Sequence, residues 1–215
     1  MIKDIAKTIL CYGDSNTWGK NPAKERYPRS MRWVNILQNI LGDDYELINE
    51  GLSGRTFNAP DSEKPFRNGL NHLEPILKTY TPIDLVIIML GTNDVKIIDN
   101  LQPEEIANHL EQTIKLIQQE KHVPKILVVC PPEIIIPENK QLPVFYNEKS
   151  LESFKKLAPL FKNVANKHDC NFINAQDYIS SSKIDGFHFD PEAHQKLAEV
   201  LNIEILKIFN FANLV

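Results

Sequence analysis

Four short segments of this chain carry residue types that, brought together, would do acyl-transfer chemistry. Near the C-terminus, Asp185 and His188 stand three apart in "DGFHFD". In a turn loosened by Gly186, a carboxylate at that spacing can fold back onto His188 Nδ1. That fixes the tautomer and leaves Nε2 free to act as a base. Near the N-terminus, Ser15 lies in "YGDSN", a stretch that sits just after the apolar run Ile9-Leu10-Cys11. A serine hydroxyl is a weak nucleophile until a base removes its proton. At a strand-to-loop junction its own backbone N–H can also point at a developing negative charge. The segments "NEGLSGRT" and "GTND" add two further donors for an oxyanion. These are the backbone N–H of Gly54, with no side chain in the way, and the side-chain amide of Asn93.

Each of these residues has a plainer explanation. Gly, Asp, Ser and Asn form turns, glycine serves positive φ, and an isolated Asp-x-x-His is common by chance. Ser53 is a rival nucleophile, but the glycines on either side of it suggest a backbone-shaping turn. Neither serine sits in the G-x-S-x-G elbow of the α/β-hydrolases, which disfavours that fold. The chemical reading rests on joint occurrence: the plain readings would all have to coincide at the ends of successive strands.

Strands are what must hold these groups. "AKTILCY", "YELINEG", "DLVIIML" and "KILVVC" read as strands buried on both faces, with "CNFINA" a shorter fifth. Helical period appears between them. Ile106, Leu110, Ile114 and Ile117 form one apolar stripe, with Pro103 and two Glu at its start. Leu151, Phe154, Leu157, Ala158, Phe161 and Ala165 form another, with Ser150 as the expected cap and Pro159 expected to kink or shorten it. The last helix is expected to start at Asp190-Pro191-Glu192 and to turn Leu197, Ala198, Leu201, Ile205 and Ile208 inward. Alternating strands and helices predict an α/β fold: a parallel sheet with right-handed crossovers between helix layers. In such a sheet ligands gather beyond the carboxyl ends of the strands, where all four polar segments fall. The most apolar strand, the one leading to Asn93, is expected at the centre.

Two segments break the alternation. Residues 16 to 29 are polar and Pro-rich and read as a loop. Residues 131 to 147, "PPEIIIPENKQLPVFYN", carry four prolines beside Ile134, Ile135, Ile136, Leu142, Val144, Phe145 and Tyr146. A loop that long and apolar is expected to cover a pocket or a partner subunit.

"GDSNTWG", "NEGLSGRT", "GTND" and "DGFHF" together resemble the blocks of the SGNH (GDSL-type) hydrolase family, most closely its arylesterase and acyltransferase branch. The resemblance runs from about residue 9 to 190. It implies Ser15 as nucleophile, Asp185 and His188 as the rest of the triad, and Ser15, Gly54 and Asn93 as the oxyanion hole. It implies a three-layer α/β/α sandwich on a five-stranded parallel sheet, flavodoxin-like, with no cofactor. The branch also implies a homo-oligomer built through the 131–147 insertion. Asn16 departs from the pattern, since many members carry Leu after "GDS".

Composition sets limits on the rest. The chain has 215 residues, which fits a single domain spanning 1–215 with the insertion at about 131–147. Its net charge of -4, without a long basic run, argues against nucleic acid or an anionic membrane as partner. No stretch approaches a membrane span, and "MIKDIAKTIL" lacks the apolar core of a signal peptide. Cys11, Cys130 and Cys170 read as buried free thiols, so the cytoplasm is the expected location. His188 with Asp190 could suggest a metal, but Asp190 is better placed as a helix cap and no ligand cluster of metal spacing appears. Phosphate-loop and dinucleotide fingerprints are missing.

The expected activity is a serine ester hydrolase acting on a small-molecule ester, with acyl transfer to alcohols as an extension. A long-chain thioesterase or lysophospholipase, a catalytically silent sugar- or acyl-binding module and a metal-dependent phosphoesterase are the alternatives. Asn16, Trp18, Ile135 and Phe145 are the expected pocket residues. Trp18, Asn16 and the Pro-stiffened loop 131–147 suggest a short acyl group, whereas Ile134, Ile135, Ile136 and Phe145 could line a groove for a longer chain. Trp33 reads as packing. Arg55 is expected to pair with a carboxylate such as Glu50.

Overall fold

The structure, a computed structural model, describes residues 6–59, 64–98, 100–122 and 124–210. Five parallel strands form one sheet in the order β2-β1-β3-β4-β5. They are β1 (Lys7–Gly13), β2 (Tyr45–Gly51), β3 (Leu85–Met89), β4 (Lys125–Cys130) and β5 (Asn171–Asn174). The helices are α1 (Ser15–Trp18), α2 (Trp33–Leu41), α3 (Gly69–Tyr80), α4 (Pro103–Gln118), α5 (Glu148–Lys155), α6 (Leu157–Lys167) and α7 (Pro191–Asn210).

Successive side chains of a strand point to opposite faces, so each strand feeds two cores. On one face, Leu10, Val86, Ile88 and Val128 pack with Leu73, Leu110, Ile114 and Phe161 of α3, α4 and α6. On the other, Ile9, Cys11, Ile87 and Val129 pack with Trp33, Leu37, Leu197 and Leu201 of α2 and α7. The result is the expected three-layer sandwich, with β3 at its centre and buried throughout. Among the described residues no helix is long and apolar enough to cross a membrane.

Several local expectations need correction. β2 is not buried on both faces. It pairs only with β1 at the sheet edge, and none of its residues is fully buried. The stripe from Leu151 to Ala165 belongs to two helices, not one. They part at Lys156, and Pro159 sits in the first turn of α6, where its missing N–H has no intrahelical acceptor to lose. Asn147, not Ser150, caps α5. Asn147 Oδ1 accepts from Ser150 N at 2.9 Å, and Ser150 Oγ returns the contact to Asn147 N at 3.4 Å as a capping box. Residues 16 to 18, expected in a loop, complete α1. Cys170 is half-buried, while Cys11 and Cys130 are buried as expected, which pushes their thiol pKa values up.

The insertion is a strap. Ile135 N donates to the Gly186 carbonyl at 2.9 Å and Glu138 N to that of Lys183, also at 2.9 Å. Ser181 Oγ donates to the Glu133 carbonyl at 2.8 Å, and Ile97 N to that of Phe145 at 3.0 Å. Within it Ile134 and Tyr146 are buried, whereas Ile136 and Val144 remain 61% and 94% exposed. What the strap covers is the loop that carries Asp185 and His188.

Candidate active site

The loop that carries Ser15, the candidate nucleophile, is fixed by its own backbone. β1 ends at Gly13, where any Cβ would collide with the Thr17 side chain. Asp14 then caps α1, its Oδ1 accepting from Asn16 N at 2.8 Å, and Gly19 closes the helix in the left-handed region at φ 92°. Ser15 is the first helical residue, so its N–H has no acceptor within the helix.

Across from it, the 182–188 loop holds His188, the candidate base. Ser182 N donates to the His188 carbonyl at 2.7 Å, and Gly186 N to the Ser182 carbonyl at 2.8 Å. Gly186 lies at φ 88°, in the region that favours glycine. Asp185 Oδ1 accepts from the backbone N–H groups of Phe187 and His188 at 3.2 and 3.1 Å. Its Oδ2 stands 2.6 Å from His188 Nδ1. Burial alone would raise the Asp185 pKa. The hydrogen bond and charge of His188, with the two backbone donors, outweigh that and hold it below the usual carboxylate range. His188 Nε2 lies 3.0 Å from Ser15 Oγ, so with Nδ1–H given to Asp185 the serine hydroxyl is the donor to Nε2. Sequence separation of 173 residues closes into one hydrogen-bonded chain.

The remaining two segments meet at the same place. Gly54 adopts φ 83°, and its N–H carries no hydrogen bond among the described residues. A Cβ there would lie 2.6 Å from Arg67 Nε. Asn93 Nδ2 donates to the Arg55 carbonyl at 3.0 Å and, more weakly, to Asp14 Oδ2 at 3.3 Å. It therefore bridges the residue after Gly54 and the residue before Ser15. Among the described residues Arg55 makes no ion pair of the expected kind. Its Nη1 donates to the Gly13 carbonyl at 3.1 Å and to the Glu50 carbonyl, while the guanidinium lies 4.1 Å from the Tyr12 ring centre. Burial lowers its pKa.

The expected pocket residues fare unevenly. Asn16 is buried, and its Nδ2 donates to the Phe187 carbonyl at 3.1 Å, lacing α1 to the loop that carries His188. Trp18 is half-buried under the Arg26 guanidinium, 4.3 Å from its ring centre. Phe145 is half-buried and packs edge-on against Phe187 at 5.7 Å, and Phe187 in turn lies 4.1 Å from the His188 ring. Ile135 is half-buried and meets the 182–188 loop through its backbone bond to Gly186. Asp14 is the residue that sequence reasoning missed. It is 1% exposed, and burial pushes its pKa up to about 6 against the opposing pull of Asn16 N–H and the charges of His188 and Lys96. The available signal was an ionisable residue placed straight after an apolar strand. Among the described residues, no group of three His, Cys, Asp or Glu side chains is placed to hold a metal ion.

Residues 11–196 match the GDSL-like Lipase/Acylhydrolase family, and the chain belongs to it. A carbohydrate acetylesterase family member from Sinorhizobium meliloti superposes with a TM-score of 0.89 at 32% identity, covering 95% of this chain and 99% of that one. The M. smegmatis aryl esterase superposes with a TM-score of 0.87 at 34% identity, over 94% of this chain and 99% of that one. By sequence, an acetylxylan esterase from Xylanibacter ruminicola is 27% identical over 93% of this chain and 43% of its own length. The chain spans about half the length of the curated relatives it matches.

Proposed function

We propose that this member of the GDSL-like family is a serine ester hydrolase that works through an acyl-enzyme on short-chain acyl esters. The observation that carries the reading is the chain Ser15 Oγ, His188, Asp185, with contacts of 3.0 and 2.6 Å. Ser15 Oγ attacks the ester carbonyl as His188 Nε2 takes its proton, and Asp185 stabilises the imidazolium. The carbonyl oxygen becomes an anion facing the N–H groups of Ser15 and Gly54 and the Asn93 amide. Collapse breaks the ester C–O bond, and His188 returns the proton to the departing alkoxide. Water then repeats the sequence on the acyl-enzyme and releases the acid. An alcohol in place of water gives acyl transfer.

Relatives described as carbohydrate acetylesterase, aryl esterase and acetylxylan esterase support an acetyl-sized acyl group on a sugar or aryl alcohol. A longer acyl chain is the second reading, favoured by the half-buried Ile135 and Phe145 and the exposed Ile136 on the strap. A chain-binding groove would gain about 0.8 kcal/mol per buried methylene, so kcat/KM would climb steadily with chain length.

A fluorophosphonate probe should label Ser15 in the native enzyme and fail to label Ser15→Ala, which should lose ester hydrolysis while keeping its fold. Residual activity above about a per cent, free of contamination, would exclude Ser15 as nucleophile. With p-nitrophenyl esters from acetate to laurate, kcat/KM should peak at acetate to butyrate. An optimum at octanoate or beyond would install the long-chain reading instead.

A further inference from the structure

We infer that Asp14 is a positioning residue for the oxyanion amide: one carboxylate oxygen caps the nucleophile helix while the other fixes which end of the Asn93 side chain faces it. The inference rests on the role proposed above for Asn93. Asp14 Oδ1 accepts from Asn16 N at 2.8 Å, and Oδ2 lies 3.3 Å from Asn93 Nδ2. A side-chain amide has nearly the same shape whichever way round it lies, yet its two ends are chemically opposite. Only the NH2 end can help an oxyanion. The carbonyl end would repel it.

Two acceptors specify the orientation in this fold. The Arg55 carbonyl takes one Asn93 hydrogen at 3.0 Å, and Asp14 takes the other across the longer 3.3 Å contact. A flipped amide would set its oxygen against both of them in a buried seam, where an unpaired or repelled polar group is costly. Asp14 thus ties two elements that are 79 residues apart, the turn into α1 and the turn after β3. The longer bond is also the one that can be shared with an arriving oxyanion, because a weak hydrogen bond gives up less when the hydrogen is redirected.

A double-mutant cycle on kcat tests this. Asp14→Asn keeps an oxygen to cap Asn16 but can turn an amide NH2 toward Asn93, so it should remove the orientation and spare the cap. The expected result is a roughly 10- to 100-fold fall in kcat, with KM within about twofold of wild type. In the Asn93→Ala background the same change should cost no more than about a further twofold, since no amide remains to be oriented. Should Asp14→Asn fold poorly by circular dichroism, Asp14→Ser replaces it, because serine caps helices well and has no second oxygen. Equal losses in both backgrounds, or a variant with wild-type kcat, would reduce Asp14 to a helix cap. If Asn93→Ala itself leaves kcat unchanged, the oxyanion assignment fails, and the inference with it.

Discussion

Two histidines flank the start of α7, six positions apart and both buried, and they differ in what their ring nitrogens meet. His188 is 6% exposed and has a partner on each side, Asp185 on Nδ1 and Ser15 on Nε2. His194 is fully buried between the rings of Tyr27 and Phe189, each 5.5 Å away. Its Nδ1 accepts from Trp33 N at 3.3 Å, which leaves the proton on Nε2, where no partner is present among the described residues. Burial, with the nearby charges of His188 and Arg32, pushes its pKa down to about 4. Burial alone therefore does not make a histidine chemical. A carboxylate to orient it and a hydroxyl within reach do.

The largest effect expected is the loss of the partnered ring. His188→Asn should lower kcat by roughly 10⁵- to 10⁶-fold, as removal of a triad base does. His194→Gln retains an oxygen that can accept from Trp33 N, so kcat should stay within about threefold while thermal stability falls modestly. Steady-state assays on both variants at matched folding break the comparison if the two losses are alike. Next in size is Asp185→Asn, which should cost about 10⁴-fold in kcat by favouring the wrong tautomer of His188. A loss confined to KM would mean that Asp185 acts on substrate rather than on the ring.

Stability against pH separates the two buried environments more finely. His194, held near pKa 4, is neutral in the fold while the unfolded chain protonates near 6.5. Its contribution is full above 6.5 and is lost as pH falls toward 4, a swing on the order of 3 kcal/mol. Asp14 runs the other way, because its folded pKa of about 6 lies above the ordinary 3.8. Its contribution is full below about 4 and is lost as pH rises through 6, again on the order of 3 kcal/mol. The two slopes oppose each other across the same window. His194→Gln should therefore expose the Asp14 slope, and its denaturation midpoint should rise, relative to wild type, as pH drops from 6.5 to 4.5. Parallel curves for variant and wild type would show that His194 does not resist protonation in the fold.

Much of the candidate site's geometry was legible because its residues sit in short polar blocks at strand ends, and strand ends are easy to find beside runs such as "DLVIIML". Asp185 and His188 were legible for a stricter reason: three residues of chain determine their contact. Asp14 was not, since its second oxygen meets Asn93 only once β1 and β3 lie side by side. Asn16 illustrates the same limit, because its position next to Ser15 says nothing of a Phe187 carbonyl 171 residues away. The edge position of β2 escaped because "YELINEG" is apolar enough to pass for a buried strand, and strand order is a property of the crossovers. The break at Lys156 escaped because α5 and α6 keep one apolar stripe in phase across it.

The smallest effect concerns the strap that frames His188 and leaves His194 alone. Gly186 holds φ 88°, which costs any other residue about 1–2 kcal/mol. A Cβ there would also collide with the Ile135 carbonyl oxygen, the backbone of the strap itself. Backbone yields less readily than the end of a side chain, which is what a Cβ at Gly54 would meet in Arg67. Gly186→Ala should therefore displace the strap or the loop, and the Ile135 N to Gly186 carbonyl bond is the contact most directly strained. We expect a loss of about 2 kcal/mol, or about 4–8 °C in Tm for a chain of this size. The kcat should fall about tenfold, because Gly186 lies between Asp185 and His188 and any shift there lengthens the Asp185–His188 or the His188–Ser15 contact. His194 sits on α7 beyond that loop, so the pH dependence of stability in the variant should keep its wild-type shape. A Tm loss with unchanged kcat would show that Asp185 and the Ser182 backbone hold His188 without the strap.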